Sequence, residues 1–231
     1  MGSLTLIPTP IDDHSPLCVV ATKKLKQAVI DEDMIIVEEH KIARRRWLQY
    51  GLPREAIDHF YVYNEHTYND VSKEVLSKLK KGKNAFLMSD CGLPAFCDPG
   101  RQLIDFCHSN HIKVTSTPFA NSISLAVALS GFEHDRFVFE GFVPAKGDLR
   151  SKELKRIVKA KEMSILMDTP YRINKLVDEL AQLAPGREAF LGMDLNMPEE
   201  LLLRGTLGIL SKILPPSKRE FILILRKLNR E

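Results

Sequence analysis

The sequence predicts an α/β protein of two domains, an N-terminal one with a parallel sheet and a C-terminal one with a mixed sheet. Three observations carry this. Short apolar runs alternate with helical stretches over the first half of the chain, the pattern of strand–helix–strand units. Those runs are near-continuous rather than alternating, which marks a sheet covered on both faces. Past Pro118 three apolar runs, "REAFLGMDL", "EELLLRG" and "REFILILR", stand close together with one short helical stretch between them, which suits a mixed or antiparallel group. The change of pattern puts a boundary at Thr117–Ala120, giving spans of 1–117 and 118–231.

Taken in order, "LTLI" (Leu4 to Ile7) is a buried strand stopped by Pro8, and "TKKLKQAVI" is the helix after it. "DMIIVEE" is the second strand. "HKIARRRWLQYGLP" is a basic helix closed by Gly51 and Pro53. "NDVSKEVLSKLKKGK" places Val71, Val75, Leu76 and Leu79 on one helical face, with Gly82 at its end. "NAFLMS" is a strand, "GRQLIDFCHSN" a helix and "IKVTST" a strand. In the second half, "NSISLAVALSG" is a helix of small residues. "RFVFEGFVP" and "EMSILMD" are strands, with the helix "DLRSKELKRIVKA" between them, and "PYRINKLVDELAQL" is a further helix. "TLGILSKIL" separates the last two strands. There is no internal repeat or low-complexity tract.

Composition narrows the function classes. The chain has 231 residues, 44% hydrophobic and 27% charged, which suits a soluble globular protein. No apolar run is long enough to span a bilayer, and "MGSLTLIPTPIDD" lacks the basic and apolar regions of a secretory signal. The four cysteines (Cys18, Cys91, Cys97 and Cys107) form no C-x-x-C pair and have no His at ligand spacing. A cytoplasmic location, reduced thiols and no metal are therefore expected. The net charge of +3 is too small to prove an anionic partner. Basic clusters do recur, at Lys23, Arg44–Arg46, Lys78, Arg150 and Arg226; they are either solvated helix faces or, if several share one surface, a phosphate footprint.

The most informative stretch is "SDCGLPAFCDPG", Ser89 to Gly100, at the end of an apolar strand. In open α/β sheets ligands bind beyond such ends. Gly92 and Gly100 allow close backbone approach, and Pro94 and Pro99 stiffen the loop. Asp90 is placed to accept hydrogen bonds from hydroxyls or an ammonium. Asp98 stands before Pro99 and a helix start, where a cap is the plain alternative. The loop is either a binding loop or a rigid connector. It contains neither a dinucleotide fingerprint nor a P-loop.

Seven segments carry a resemblance, in this order: "LIPTPIDD", "VEEHKIARRRWLQYGL", "LMSDCGLPAFCDPGRQLI", "DRFVFEGFVPAKGDLR", "DTPYRI", "LLLRGTLGIL" and "REFILIL". Together the chain resembles the tetrapyrrole (corrin/porphyrin) methylase superfamily, within it the small-subunit ribosomal RNA cytidine 2′-O-methyltransferases. The loop is similar to S-D-A-G-T-P-x-x-S-D-P-G, with Cys91, Leu93 and Cys97 as departures. The resemblance implies two α/β domains with S-adenosylmethionine in the cleft between them, a homodimer, and methylation of small-subunit rRNA at a ribose 2′-hydroxyl. It implies that cofactor-binding positions are Asp90, Cys91, Gly92, Pro94, Asn121, Ser122, Met167, Asp168, Gly192 and Met193. Several have a plainer alternative: a cap for Asn121, core for Met167 and Met193.

Departures fall on the substrate side. Where that branch has E-D-T-R, this chain has Glu38-Glu39-His40-Lys41, so a fork-shaped Arg is lost. E-S-P-H-R becomes Asp168-Thr169-Pro170-Tyr171-Arg172, and A-R-E-L-T-K becomes Gly192 to Met197. The glycine-rich first loop of tetrapyrrole methylases is replaced by Pro8-Thr9-Pro10-Ile11-Asp12, which favours the RNA branch. The chain also ends soon after "FILILR", short of the C-terminal extension seen in many members of that branch. A ribose hydroxyl is a weak nucleophile and calls for a base worth about 10²–10⁴-fold. Glu39 is the first choice, with Asp12 and Asp98 as others and Lys41 orienting the hydroxyl; a helix N-terminal acid is the alternative for Glu39. Arg44, Arg45 and Arg46 would hold phosphates, although three consecutive residues cannot share one helix face, and Tyr171 and Arg172 complete the expected substrate side. Trp47 is either core or a base-stacking ring, core being the commoner role. The competing readings are a methyltransferase for a tetrapyrrole or other small molecule, and a non-catalytic module that binds the cofactor or RNA.

Overall fold

The computed structural model describes residues 1–119, 121–216 and 218–228. Ala120 of the expected boundary and Arg230 of the last basic cluster lie outside them. The chain divides into two compact units, Met1–Asn121 and Ser122–Glu231.

The first unit contains β1 (Ser3–Ile7), α1 (Val19–Ile30), β2 (Met34–Val37), α2 (His40–Gln49), β3 (Tyr61–Val62), α3 (Tyr68–Lys80), β4 (Ala85–Met88), α4 (Arg101–Ser109) and β5 (Lys113–Ser116). Its five strands are all parallel, in the order β3-β2-β4-β1-β5. Alternate residues of the central strands feed two cores. Ile7, Ile35, Val37, Phe86 and Met88 pack with Ala21 and Leu25 of α1 and Ala43 and Trp47 of α2. Leu4, Met34, Ile36, Ala85 and Leu87 pack with Val75 and Leu79 of α3 and Leu103 and Cys107 of α4. This is the double coverage that near-continuous apolar strands require. It fails at the edge: Lys113, Thr115 and Ser116 of β5 are exposed. β3 has no counterpart among the expected elements, since two residues carry no periodicity; the 3-10 turn before it, Arg54–His59, is equally silent in the sequence. Trp47 is wholly buried, donates its indole N–H to the Pro53 carbonyl at 2.7 Å and meets Phe60 edge-on, so it is core rather than a stacking ring.

The second unit contains α5 (Ser122–Ser130), β6 (Phe137–Phe142), α6 (Gly147–Ile157), β7 (Met163–Met167), α7 (Ile173–Leu183), β8 (Glu188–Met193), β9 (Leu201–Thr206), α8 (Leu207–Ile213) and β10 (Phe221–Leu225). The sheet order is β6-β7-β10-β8-β9, with β6 and β7 parallel and the other pairs antiparallel. Its core joins Leu166, Leu191, Met193 and Leu223 to Leu154 and Ile157 of α6, Leu176 and Leu180 of α7 and Leu210 of α8. The mixed sheet expected from the late run of strands is present. β6, at the edge, leaves Phe137, Val138 and Phe142 exposed.

Candidate cofactor and substrate site

In the first sheet β4 lies between β1 and β2. The chain therefore leaves β1 past β4 toward β2, and leaves β4 past β1 toward β5. The connections after these neighbouring strands part in opposite directions, which is the switch point where open α/β sheets form a crevice. The covering helices agree: α1 packs in one core and α4 in the other.

Two loops meet there. Residues 8–18 follow β1 and residues 89–100 follow β4. Thr9 and Gly92 exchange backbone hydrogen bonds at 2.9 and 3.2 Å, and the Thr9 hydroxyl donates to the Ser89 carbonyl at 3.3 Å. Ser89 Oγ donates to the Gly92 carbonyl at 2.7 Å. Gly92 sits at φ 82°, and Gly100 at φ 126° with Leu87 Cδ2 only 2.7 Å from where a Cβ would lie, so neither tolerates a side chain without strain. Ala95 and Cys97 also lie in the left-handed region, at φ 65° each, a strain that a plain connector has no reason to store.

Three carboxylates gather at these strand ends. β2 and β4 are in register with Val37 beside Met88, which brings Glu38 and Asp90 to adjacent strand exits. Burial and the charge of Glu38 push the Asp90 carboxyl up to about 6, against the opposing Glu39 backbone N–H. Burial and the charge of Asp90 push Asp98 up to about 6. Burial and the charge of Asp98 also raise Glu38. Asp90 Oδ1 is buried with no hydrogen-bond partner among the described residues. A half-buried cluster of acids whose pKa values are all raised is suited to a cation. Asp98 is not a cap, since α4 begins after Gly100 and has no side-chain cap.

The other expected acids are committed elsewhere. Glu39 caps α2, its two oxygens accepting the Lys41 and Ile42 N–H groups at 3.0 and 2.8 Å, and these bonds lower its pKa. Asp12 accepts the His14 and Ser15 N–H groups at 2.8 and 2.6 Å; burial pushes its pKa up, but those bonds prevail and the net shift is downward. The three consecutive arginines separate as helical geometry demands. Arg44 is exposed, Arg45 is exposed and pairs with Asp13 at 3.3 Å, and Arg46 is 4% exposed. Lys41 is exposed at the start of α2. Cys91 and Pro94 lie in the 89–100 loop, Cys91 Sγ being 3.5 Å from the Ile11 carbonyl.

In the second unit, β7 and β8 flank β10, Leu223 facing Leu166 on one side and Leu191 on the other. Met167 and Gly192 follow at one level but on opposite sides of β10, so an intervening strand separates these two expected residues. The Met193 side chain is fully buried in the core and offers only its main chain. Gly192 is crowded by Leu195 and Phe190, 3.0 and 3.2 Å from a hypothetical Cβ. Asp168 and Arg172, expected in separate roles, are partners. Asp168 accepts from Arg172 Nε at 2.7 Å, Arg150 Nη1 at 3.2 Å and the Thr169 N–H at 2.8 Å. Its carboxylate is thereby occupied. Tyr171 is 75% exposed with Lys218 Nζ 5.1 Å above its ring. Asn121 ends the first unit and Ser122 begins α5. Arg46, expected among the phosphate holders, is buried and bonded to the loop after β1 instead, and nothing in a run of three arginines marks which one turns inward. Glu38, expected only as part of a motif departure, joins the carboxylate group, and its place at the end of a strand was the available signal.

Comparison with known proteins agrees with this fold. The sequence pattern of the tetrapyrrole (corrin/porphyrin) methylases matches residues 3–211. Similar proteins named "Ribosomal RNA small subunit methyltransferase I" include that of Thermotoga maritima, 28% identical over 89% of this chain and 88% of its own. That of a Synechocystis strain is 30% identical over 90% of this chain and 72% of its own. Among solved structures, a diphthine synthase superposes with a TM-score of 0.72 at 13% identity, covering 100% of this chain and 92% of its own. A uroporphyrin-III C-methyl transferase from Thermus thermophilus, complexed with S-adenosyl homocysteine, gives 0.58 at 15% identity, covering 97% of each chain. The fold and the family pattern together define a methyltransferase. The chain belongs to the tetrapyrrole (corrin/porphyrin) methylases.

Proposed function

We propose that this methyltransferase modifies small-subunit ribosomal RNA at a ribose 2′-hydroxyl. The relatives' names support the RNA substrate. The observation that carries the reading is the carboxylate group at the switch point beside a helix that presents Lys41, Arg44 and Arg45 to solvent. It sets an acidic centre suited to a cationic cofactor next to a basic face suited to phosphates.

S-adenosylmethionine supplies an electrophilic methyl group on a positively charged sulfur. The residues present fit it: an orphaned carboxylate oxygen on Asp90, and main chain at Gly92 with nothing nearer to a hypothetical Cβ than Ile11 at 4.0 Å. Asp90, Cys91, Gly92 and Pro94 hold the cofactor in this reading, with Asn121, Ser122, Met167, Gly192 and Met193 contributing mainly main-chain groups, and Asp168 shaping the turn after β7. Asp98 takes the proton of the substrate hydroxyl, a role suited to a carboxylate whose pKa is raised and which caps no helix. Glu39 then serves as cap, Lys41 orients the hydroxyl, Arg44 and Arg45 hold phosphates, and Tyr171 and Arg172 contact the nucleotide. Positioning by these groups supplies most of the rate. Free thiols throughout support a cytoplasmic location, and exposed apolar residues on edge strand β6 support a homodimer.

The test is methylation of unmodified small-subunit rRNA, free and assembled, with labelled S-adenosylmethionine, followed by nuclease digestion and mass spectrometry. A 2′-O-methyl nucleoside is expected. Asp98→Asn should lower kcat by about 10²–10⁴-fold and leave cofactor affinity within a few-fold. Label transferred only to a small molecule, or to a base, would overturn the reading.

A further inference from the structure

The basic run of α2 ends in a buried arginine whose contacts run toward the cofactor loop. Arg46 Nη1 donates to the Pro10 carbonyl at 3.2 Å, the Asp12 carbonyl at 3.0 Å and Tyr50 Oη at 3.1 Å. Its Nη2 lies 3.1 Å from Asp13 Oδ1. The segment it grips, residues 8–18, has no helix or strand of its own, and Pro8, Pro10 and Pro16 bring no N–H to bond with. Something outside the segment must therefore fix it. The helix side is firm, because Trp47, the next residue, is locked in the core. The other side of the same segment is the Thr9–Gly92 bridge, one residue from Pro10.

The structure assigns Arg46 as a positioning residue for the methyl-donor site, acting through Pro10 and Thr9 on the Gly92 loop, rather than as a phosphate ligand. This rests on the methyltransferase reading above. Guanidinium geometry suits such a clamp, since one planar group reaches two carbonyls and a carboxylate, which an ammonium on a flexible stem cannot do together. Burial of the charge is tolerated because the carbonyls, Tyr50 and Asp13 meet its two terminal nitrogens, although Nε is buried without a hydrogen-bond partner among the described residues. A phosphate ligand would instead need its donors free toward solvent, as on Arg44.

Arg46→Met and Arg46→Lys in the full chain test this, with calorimetric S-adenosylmethionine affinity, steady-state KM and kcat, rRNA affinity against salt, and melting temperature. Arg46→Met should weaken cofactor binding at least tenfold, raise KM for the cofactor more than it lowers kcat, and leave the salt dependence of RNA binding unchanged. Arg46→Lys should recover part of the loss. A folded Arg46→Met protein that only melts lower, with cofactor affinity within twofold, would overturn the assignment. So would a shallower salt dependence with cofactor affinity intact. Should Arg46→Met not fold, Arg46→Lys decides on the same ratio. Should the parent itself bind no cofactor, the functional reading fails, and the clamp is judged alone by hydrogen exchange. Unchanged protection of the Thr9 and Gly92 amides in the variant would overturn it.

Discussion

Asp90 shows how one side chain ties stability to binding. Its carboxyl is held at about 6 by burial and by Glu38, against an ordinary value of 3.8. The folded state thus keeps a proton that the unfolded chain releases near pH 4. Stability from this group is fully present below that value, falls as pH rises toward 6, and is lost above it. A bound cation reverses the penalty. Asp90→Asn is expected to melt about 2–4 °C higher than the parent at pH 7.5, the size of an effect on the order of 1 kcal/mol once solvent screening of a half-buried group is allowed for. The same variant should bind S-adenosylmethionine at least tenfold more weakly. Scanning calorimetry between pH 4 and 8 and a binding titration check the pair; a variant that melts lower while binding normally would contradict it.

At the scale of the element, α2 sorts its residues by the turn of the helix. Glu39 closes its N-terminus, Ala43, Arg46 and Trp47 face inward, and Lys41, Arg44 and Arg45 face outward. Glu39→Ala should therefore lower the urea midpoint of unfolding modestly, with kcat within threefold of the parent. A loss of 10²-fold or more in kcat at unchanged stability would return the base role to Glu39. The position of this helix was legible from its basic run and the stop at Gly51 and Pro53. Which arginine turned inward was not, because inward and outward faces depend on what packs beside the helix.

At the scale of the whole molecule, two units of different sheet type stand in one chain, and their edge strands differ in character. β5 exposes Lys113, Thr115 and Ser116, whereas β6 exposes Phe137, Val138 and Phe142. A polar edge resists pairing; an apolar one seeks cover. Phe142→Glu is expected to convert a dimer to a monomer in sedimentation without lowering the melting temperature by more than a few degrees. A parent that sediments as a monomer at micromolar concentration would remove the dimer reading.

The sequence by itself determined the succession of strands and helices apart from β3 and the turn before it, the mixed character of the second sheet and the loop Ser89–Gly100, because periodicity, punctuation by Gly and Pro, and local turn chemistry are properties of neighbouring residues. Only the tertiary structure decided that β4 inserts between β1 and β2, and with it that Glu38, Asp90 and Asp98 share one crevice, that Asp168 belongs to Arg150 and Arg172, and that Arg46 grips the loop after β1. Those facts join residues distant in the chain, and no local spacing records a contact made by the path of the chain through space.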